Sequence, residues 1–303
     1  MLTIFATPKP FYGDFGFIQR NAILSWLHLD PKCEIILFGN GEGVAEVAGE
    51  FGVHYISKFE CNEFGTPLVS SLFKIAQNIS HYDLLAYVNA DIILMSDFME
   101  AIRSIKKFPF LMVGQRFDMD ISSQICFDDH QWESWLRLDI NKNGKLHAKT
   151  GIDYFVFNRN LFKDIPSFAI GRSAWDNWLI YNARFQGVPV IDATKVITAV
   201  HQNHNYSHYV GGEDGVWKGP EAKYNLKLAR GSKYLFNLSD ATHILIKNRI
   251  VLAFNLINIW RYFYNLSVFN PLFLPLRWLL YALLNISKFF RKTSLILVNR
   301  LSR

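Results

Sequence analysis

Three groups of residues have the types and spacing for chemistry. The first is Asn89-Ala90-Asp91, a polar triplet between two apolar runs, Leu84 to Val88 and Ile92 to Met95. Runs of that length read as buried parallel strands. A carboxylate between them must sit at a strand end or find partners there, because burying it unpaired is costly. The carboxyl ends of strands in an open α/β sheet are where ligands bind. Asp91, with Asn89 beside it, is therefore a candidate for holding a divalent metal; the alternative is a strand-to-turn Asp bonded to its own backbone. The second group is Asp176, at a predicted helix start and flanked by Trp175 and Trp178. Asp is a common N-cap, and between indoles its pKa would rise toward that of a general base. The two roles are compatible. The third group is His201, His204 and His208, followed by Lys218 between Trp217 and Gly219. The His spacing suggests zinc, yet a structural zinc site takes four ligands and no Cys lies near; a loop histidine with its own partners is the alternative. Asp153, after Thr150-Gly151-Ile152, reads either as a turn residue or as a carboxylate that binds hydroxyl groups.

The elements that must position these residues alternate between strand and helix. A first strand over 2–6 is broken by Thr7-Pro8-Lys9-Pro10. Apolar residues at Phe17, Ile18, Ala22, Ile23, Trp26 and Leu27 predict a helix over 16–29. Strands at 34–38 and 53–56 enclose a helix at 44–51 that stops at Gly52. Thr66 as N-cap with Pro67 in the first turn predicts a helix over 68–79. The central strand follows, then a helix over 98–105 and a strand over 110–115. From 116 to 150 the pattern weakens into a stretch rich in Asp, Trp and Asn. A strand over 154–157, a helix over 174–186 and a last strand over 188–191 complete the series. This order predicts an α/β fold, with a mostly parallel sheet and crossover helices on its faces.

The ordered blocks YVNADI, TGIDYFVF, WDNWL and HQNH resemble those of GT-A glycosyltransferases, and within them a bacterial family-2-like group, over roughly 2–241. The resemblance implies a Rossmann-like half that binds a nucleotide-diphospho-sugar and an acceptor half sharing the same sheet, with 116–150 shaping the acceptor site. It implies a D-x-D motif after the fourth strand that binds Mn²⁺ or Mg²⁺ and the donor. Asn89-Ala90-Asp91 matches that position with Asn in place of the first Asp, which keeps a neutral acceptor, loses a charge and weakens metal binding. By the same resemblance His201 alone serves as metal or diphosphate ligand. Asp176 deprotonates the acceptor hydroxyl as it attacks the anomeric carbon, and Asp153 bonds sugar hydroxyls. Thr7 and Asn40, ending the first two strands, hold base and ribose. Arg20 reaches a phosphate and Lys218 neutralises the leaving diphosphate, although an exposed helix Arg and a solvated Lys are the default readings of both. The expected reaction is sugar transfer to a hydroxyl of a glycan or lipid-linked acceptor. Two other readings compete. A sugar-1-phosphate nucleotidyltransferase needs a Gly-rich phosphate loop where this chain has Thr7-Pro8-Lys9-Pro10. A non-catalytic nucleotide- or glycan-binding membrane scaffold draws its support from Asn89.

Composition bounds the rest. The chain has 303 residues, half of them hydrophobic and 16% aromatic, enough for one large domain with an appendage. Its net charge of +6 is uneven. No acidic residue follows Asp240, where nine basic residues lie, so the rest carries 23 basic and 26 acidic residues. That body is not a nucleic-acid-binding surface by charge. Cys33, Cys61 and Cys126 are too few and too scattered for a disulfide framework. The start lacks a charged segment leading into an apolar one, so a reducing, cytosol-facing location is expected. Residues 1–243 read as the catalytic domain and 244–303 as an amphipathic helical tail. Its longest charge-free stretch, Tyr262 to Leu276, contains Pro271 and Pro275 and falls short of the ~18 apolar residues of a spanning helix. Basic residues interleaved with Trp260, Trp278 and other aromatics suit helices lying at an anionic membrane surface, on the inner face of the cell membrane. Helices packed on the catalytic domain or a partner are the alternative, with one tilted span as a third arrangement.

Overall fold

The computed structural model describes residues 1–105, 108–204 and 212–282. His208 and the end of the tail, 283–303, lie outside the described residues. Chain order gives β1 (Thr3–Ala6), α1 (Asp14–Leu27), β2 (Glu34–Phe38), α2 (Val44–Phe51), β3 (His54–Ile56), α3 (Val69–Ile79) and β4 (Leu84–Val88). Then follow β5 (Ile92–Ile93), α4 (Ser96–Ser104), β6 (Leu111–Val113), β7 (Arg116–Met119), α5 (Trp132–Asn143), β8 (Lys145–Leu146) and β9 (Tyr154–Asn158). The series continues with α6 (Trp175–Phe185), β10 (Val190–Asp192), β11 (Ala199–Gln202), α7 (Gly212–Lys218), α8 (Pro220–Leu228), β12 (His243–Ile246), β13 (Arg249–Leu252) and α9 (Leu256–Phe269).

Nine strands form the main sheet in the order β13-β12-β10-β6-β9-β4-β1-β2-β3. Five of its pairings are parallel; β9 runs antiparallel to both β4 and β6, and β13 to β12. The expected α/β architecture, mostly parallel with helices on its faces, is the one observed. On one face Phe5 meets Phe73 edge-on at 5.0 Å, and Phe73 stacks on Phe157 at 5.4 Å. Aromatic pairs of that geometry contribute beyond the area they bury. On the other face Ile4, Ala6, Ala86 and Val88 pack with Ile23 and Trp26 of α1. The buried Trp26 indole donates to the Ile92 carbonyl at 2.9 Å, fixing α1 against β5.

The second sheet, β5-β11-β7-β8, is small and lies where the sequence has least periodicity. It joins strands of 116–150 and the strand that runs into the HQNH block to β5, just past Asp91, and it organises the site described below.

Three sequence expectations are corrected. Thr66 does not cap α3, because its N–H and C=O close a turn on Asn62, and Leu68 takes the cap position instead. The strand at 190–192 is not the last. Residues 243–252 form β12 and β13 of the main sheet, joined by Lys247 and Asn248, both with positive φ (43° and 61°). A two-residue turn with φ above zero at both positions matches the twist of a hairpin. The tail therefore does not begin at 244; the compact units divide between Ala253 and Phe254.

In the second unit α9 is capped by the Asn255 side chain, which accepts from the N–H groups of Ile257 and Asn258. Trp260 stacks on Tyr264 at 4.8 Å. Among the described residues no helix is long and apolar enough to cross a membrane.

Candidate active site

The chain leaves β1 through Thr7-Pro8-Lys9-Pro10, where two prolines lack an N–H. Gln19 of α1 secures that loop: its Oε1 accepts from the Lys9 N–H at 2.6 Å and its Nε2 donates to the Lys9 carbonyl at 2.8 Å. The Lys9 ammonium lies 4.2 Å from the Phe15 ring centre, and Phe15 in turn lies 5.0 Å from the His204 ring. Burial and the nearby Arg172 guanidinium pull the Lys9 pKa down to about 8, while Asp91 opposes them. The Thr7 hydroxyl is buried just ahead of it without a hydrogen-bond partner among the described residues.

Asp91 follows β4 at its carboxyl end. Its backbone is fixed by Gln202, fully buried, whose N–H and side-chain amide both approach the Asp91 carbonyl at 3.2 Å. Gln202 is held in turn by Asn21 at 2.9 Å and by the Ile18 carbonyl at 2.8 Å. Alternation along β11 then turns the neighbouring His201 to the other face, toward Asp91. Asp91 Oδ2 lies 3.1 Å from His204 Nε2 and 3.6 Å from His201 Nε2. Ligand atoms of these three residues lie within 4.8 Å of one another. Among the described residues, Asp91 Oδ1 is buried without a hydrogen-bond partner. Burial raises the Asp91 carboxyl, but His201, His204 and Lys9 outweigh it and hold the group well below the usual carboxylate range. Burial holds His201 below the usual imidazole range, against the pull of Asp91. A neutral imidazole keeps the lone pair that a metal needs. An ionised carboxylate, one oxygen of which has no partner among the described residues, and two imidazoles fit a divalent cation.

Around this trio is a supporting layer. His201 lies opposite Asp118 in the β11–β7 register, with Nδ1 3.6 Å from Asp118 Oδ1. Asp118 is bonded by His147 Nδ1 at 2.7 Å and by Arg116 Nε at 3.1 Å. Gly151 matters here for space: a Cβ on it would fall 2.3 Å from His147 Cδ2 and displace that ring. Arg116 also pairs with Asp153. Burial opposes the Arg116 charge, but Asp153 and Asp91 outweigh it and raise its pKa.

Antiparallel pairing of β9 with β4 brings Asp153 opposite Asn89, whose N–H donates to the Asp153 carbonyl at 2.9 Å. The Asn89 amide donates to Asp153 Oδ1 at 2.5 Å. This contact gives a physical reason for Asn at 89. An Asp there would set two carboxylates against each other, which needs a shared proton or a cation.

Asp176 is not an N-cap. Ala174 occupies that position with φ 89°, a conformation that favours glycine and costs a non-glycine residue about 1–3 kcal/mol. Asp176 is the second residue of α6, and its Oδ1 is buried without a hydrogen-bond partner among the described residues. Burial drives its pKa up to about 7, with Asp153 adding to the rise and the backbone N–H groups of Asn177 and Asp176 and the Arg116 charge opposing it. Loss of hydration outweighs two backbone donors here.

Other proposed residues stand elsewhere. Arg20 makes a bidentate pair with Glu50 at 2.7 and 2.8 Å, along the face of Phe51, so its guanidinium is committed to α2. Lys218 pairs with Asp214 at 2.7 Å on an exposed helical turn. Asn40 is exposed just past β2. Lys9, Arg116, Asp118, His147 and Arg172 were not legible as site residues. His204, set aside in favour of His201 alone, is the nearer imidazole. Beside Asp118 a cleft of about 700 Å³ opens, lined by Asp120, Asp139, Asn143, Lys145 and Asn203.

No family model matches this chain, and no curated protein matches it. Solved structures do. Glucosyl-3-phosphoglycerate synthase from Mycobacterium tuberculosis, in complex with Mg²⁺ and uridine diphosphate, is 10% identical with a TM-score of 0.45, over 77% of this chain and 80% of that one. TarS from S. aureus, in complex with UDP-GlcNAc, is 14% identical with a TM-score of 0.45, over 69% and 62%. Mannosyltransferase PcManGT from Pyrobaculum calidifontis, in complex with GDP-Man and Mn²⁺, is 11% identical with a TM-score of 0.41, over 66% and 56%. The likeness is one of fold.

Proposed function

We propose that this chain is a glycosyltransferase that moves a sugar from a nucleotide-diphosphate-sugar to an acceptor hydroxyl. The observation that carries the reading is the cluster at the carboxyl end of β4. There a carboxylate and two imidazoles converge, Lys9 stands within reach of their charge, and a buried carboxyl poised near neutrality lies beside Asp153. Asp91, His201 and His204 would hold a divalent cation, Mn²⁺ in preference to Mg²⁺ because two of the three ligands are imidazoles, and that ion would supply charge neutralisation for the departing diphosphate. Lys9 adds a positive charge that costs no reorganisation during the reaction. Asn89 and Arg116 fix Asp153 to accept from sugar hydroxyls. Asp176 takes the proton of the acceptor hydroxyl as its oxygen bonds to the anomeric carbon and the bond to the diphosphate breaks. The polar cleft beside Asp118 suits a glycan acceptor, whose hydroxyls need donors and acceptors on every side.

Nucleotide release from a panel of UDP- and GDP-sugars, with and without Mn²⁺, tests this directly. Slow hydrolysis of one donor, stimulated by Mn²⁺ and accelerated by a glycan acceptor, is expected. Absence of release from every donor under both conditions excludes the reading.

The same proposal sets the enzyme at the inner face of the cell membrane, on a glycan or lipid-linked acceptor. Its support is the exposure pattern along α9. Asn258, Asn265 and Ser267 are buried, whereas Leu256 is 86% and Ile257 60% exposed. Basic residues near an anionic surface add up to about 1 kcal/mol each. The full chain is expected to sediment with anionic vesicles and less with neutral ones, and to be released in part by high salt. A chain ending at Ala253, which keeps β12 and β13, should stay in solution. Equal vesicle binding by the two chains removes the tail from the account.

A further inference from the structure

We infer that Glu34, His54 and His81 form a second divalent-metal site, at the end of the main sheet opposite Asp91. Glu34 opens β2 and His54 opens β3, while His81 lies in the turn between α3 and β4. β2 runs parallel to β1, and β1 to β4, so this group gathers at the amino ends of strands whose carboxyl ends carry Asp91.

The carboxylate is held in advance. The Glu34 side chain is only 8% exposed. Its Oε2 accepts from the Thr3 hydroxyl at 2.5 Å and from the His81 N–H at 2.9 Å. That leaves Oε1 facing both imidazoles, 2.5 Å from His81 Nδ1 and 3.6 Å from His54 Nε2. One ligand atom from each residue lies within 4.8 Å of the others. The two rings are the exposed members, so a cation can enter and water can complete its shell. Both rings can swing inward to the roughly 2.0–2.2 Å that zinc–nitrogen and zinc–oxygen bonds require.

The donor set decides the class of ion. Two imidazoles and one carboxylate suit Zn²⁺, Ni²⁺ or Cu²⁺, whereas Mg²⁺ prefers oxygen ligands and its own water. The position points to a structural role. β3 is three residues long and is an outer strand of the sheet, paired only with β2 among the described residues. A metal shared by β2, β3 and the α3–β4 turn ties that edge to the interior, and its binding free energy adds to folding.

The test uses the full-length Asp91→Ala chain, in which the other cluster has lost its carboxylate, titrated with Zn²⁺ by calorimetry. One Zn²⁺ per chain is expected, with affinity lowered about tenfold or more by His54→Ala or Glu34→Gln. Zn²⁺ at about a hundred times its Kd should raise the Tm by roughly 5 °C, and His54→Ala should abolish that rise. His54 is exposed, so its removal should leave the metal-free Tm unchanged and separate lost binding from lost folding. With Asp91 restored, His54→Ala should leave any donor hydrolysis as it was. Zn²⁺ binding that His54→Ala and Glu34→Gln leave unaltered, or no binding in the Asp91→Ala chain, overturns the assignment.

Discussion

Asp91→Ala is expected to lower turnover by on the order of a thousandfold, the scale for losing an electrophilic group at a developing anion, here the cation that Asp91 would hold. The fold should survive. The bonds that anchor this segment run from Gln202 to the Asp91 carbonyl, and alanine keeps them. Removing the carboxylate leaves His201 and His204 facing each other, with rings 5.4 Å apart and no anion between them. Mn²⁺ affinity should therefore fall together with turnover. His204→Ala should weaken Mn²⁺ binding at least as much as His201→Ala, because His204 Nε2 stands closer to the shared oxygen. Wild-type turnover in Asp91→Ala at saturating Mn²⁺ would exclude this cluster as the donor site.

Elements through α3 were legible because each apolar period is bounded by a glycine or a proline, and most boundaries agree to within two residues. The β12–β13 hairpin was not. HILI and RIVL are short strands inside a basic, aromatic stretch, and a Lys-Asn turn is a weaker hairpin signal than Asn-Gly. In the site, Asp91 and Asp176 were legible because a carboxylate among apolar residues has few inexpensive explanations. Arg116, Asp118 and His147 were hidden. Their segment has no period; His147 meets Arg116 and Asp118 through the β7–β8 pairing, and the group reaches His201 only because β7 pairs with β11 across a long separation in sequence. Asn89 reads from the sequence as a weakened metal ligand, because its partner Asp153 reaches it only through the antiparallel pairing of β9 with β4.

Asp176→Asn is expected to reduce kcat/KM by about a hundredfold to ten-thousandfold, the range for loss of a general base. The pH profile carries the sharper distinction. Burial places the Asp176 carboxyl at about 7, so wild-type activity should rise about tenfold per pH unit below that value and level off above it. The variant should lose that limb. Stability should move the opposite way. In the unfolded chain this carboxyl ionises near 3.8, and in the folded protein near 7. Between those values the folded state binds more protons than the unfolded one, so the group's contribution is full below about 4 and declines as pH rises through 7. Asparagine cannot ionise and escapes that decline, while its side-chain oxygen can still accept from the N–H of Asn177. The variant should thus match the wild-type Tm near pH 4 and equal or exceed it at pH 8. A residue that served only the helix start would give another pattern, with a lower Tm at both pH values, turnover per folded molecule unchanged and the limb near pH 7 intact. That pattern would remove Asp176 from the mechanism and leave the acceptor proton to Asp153.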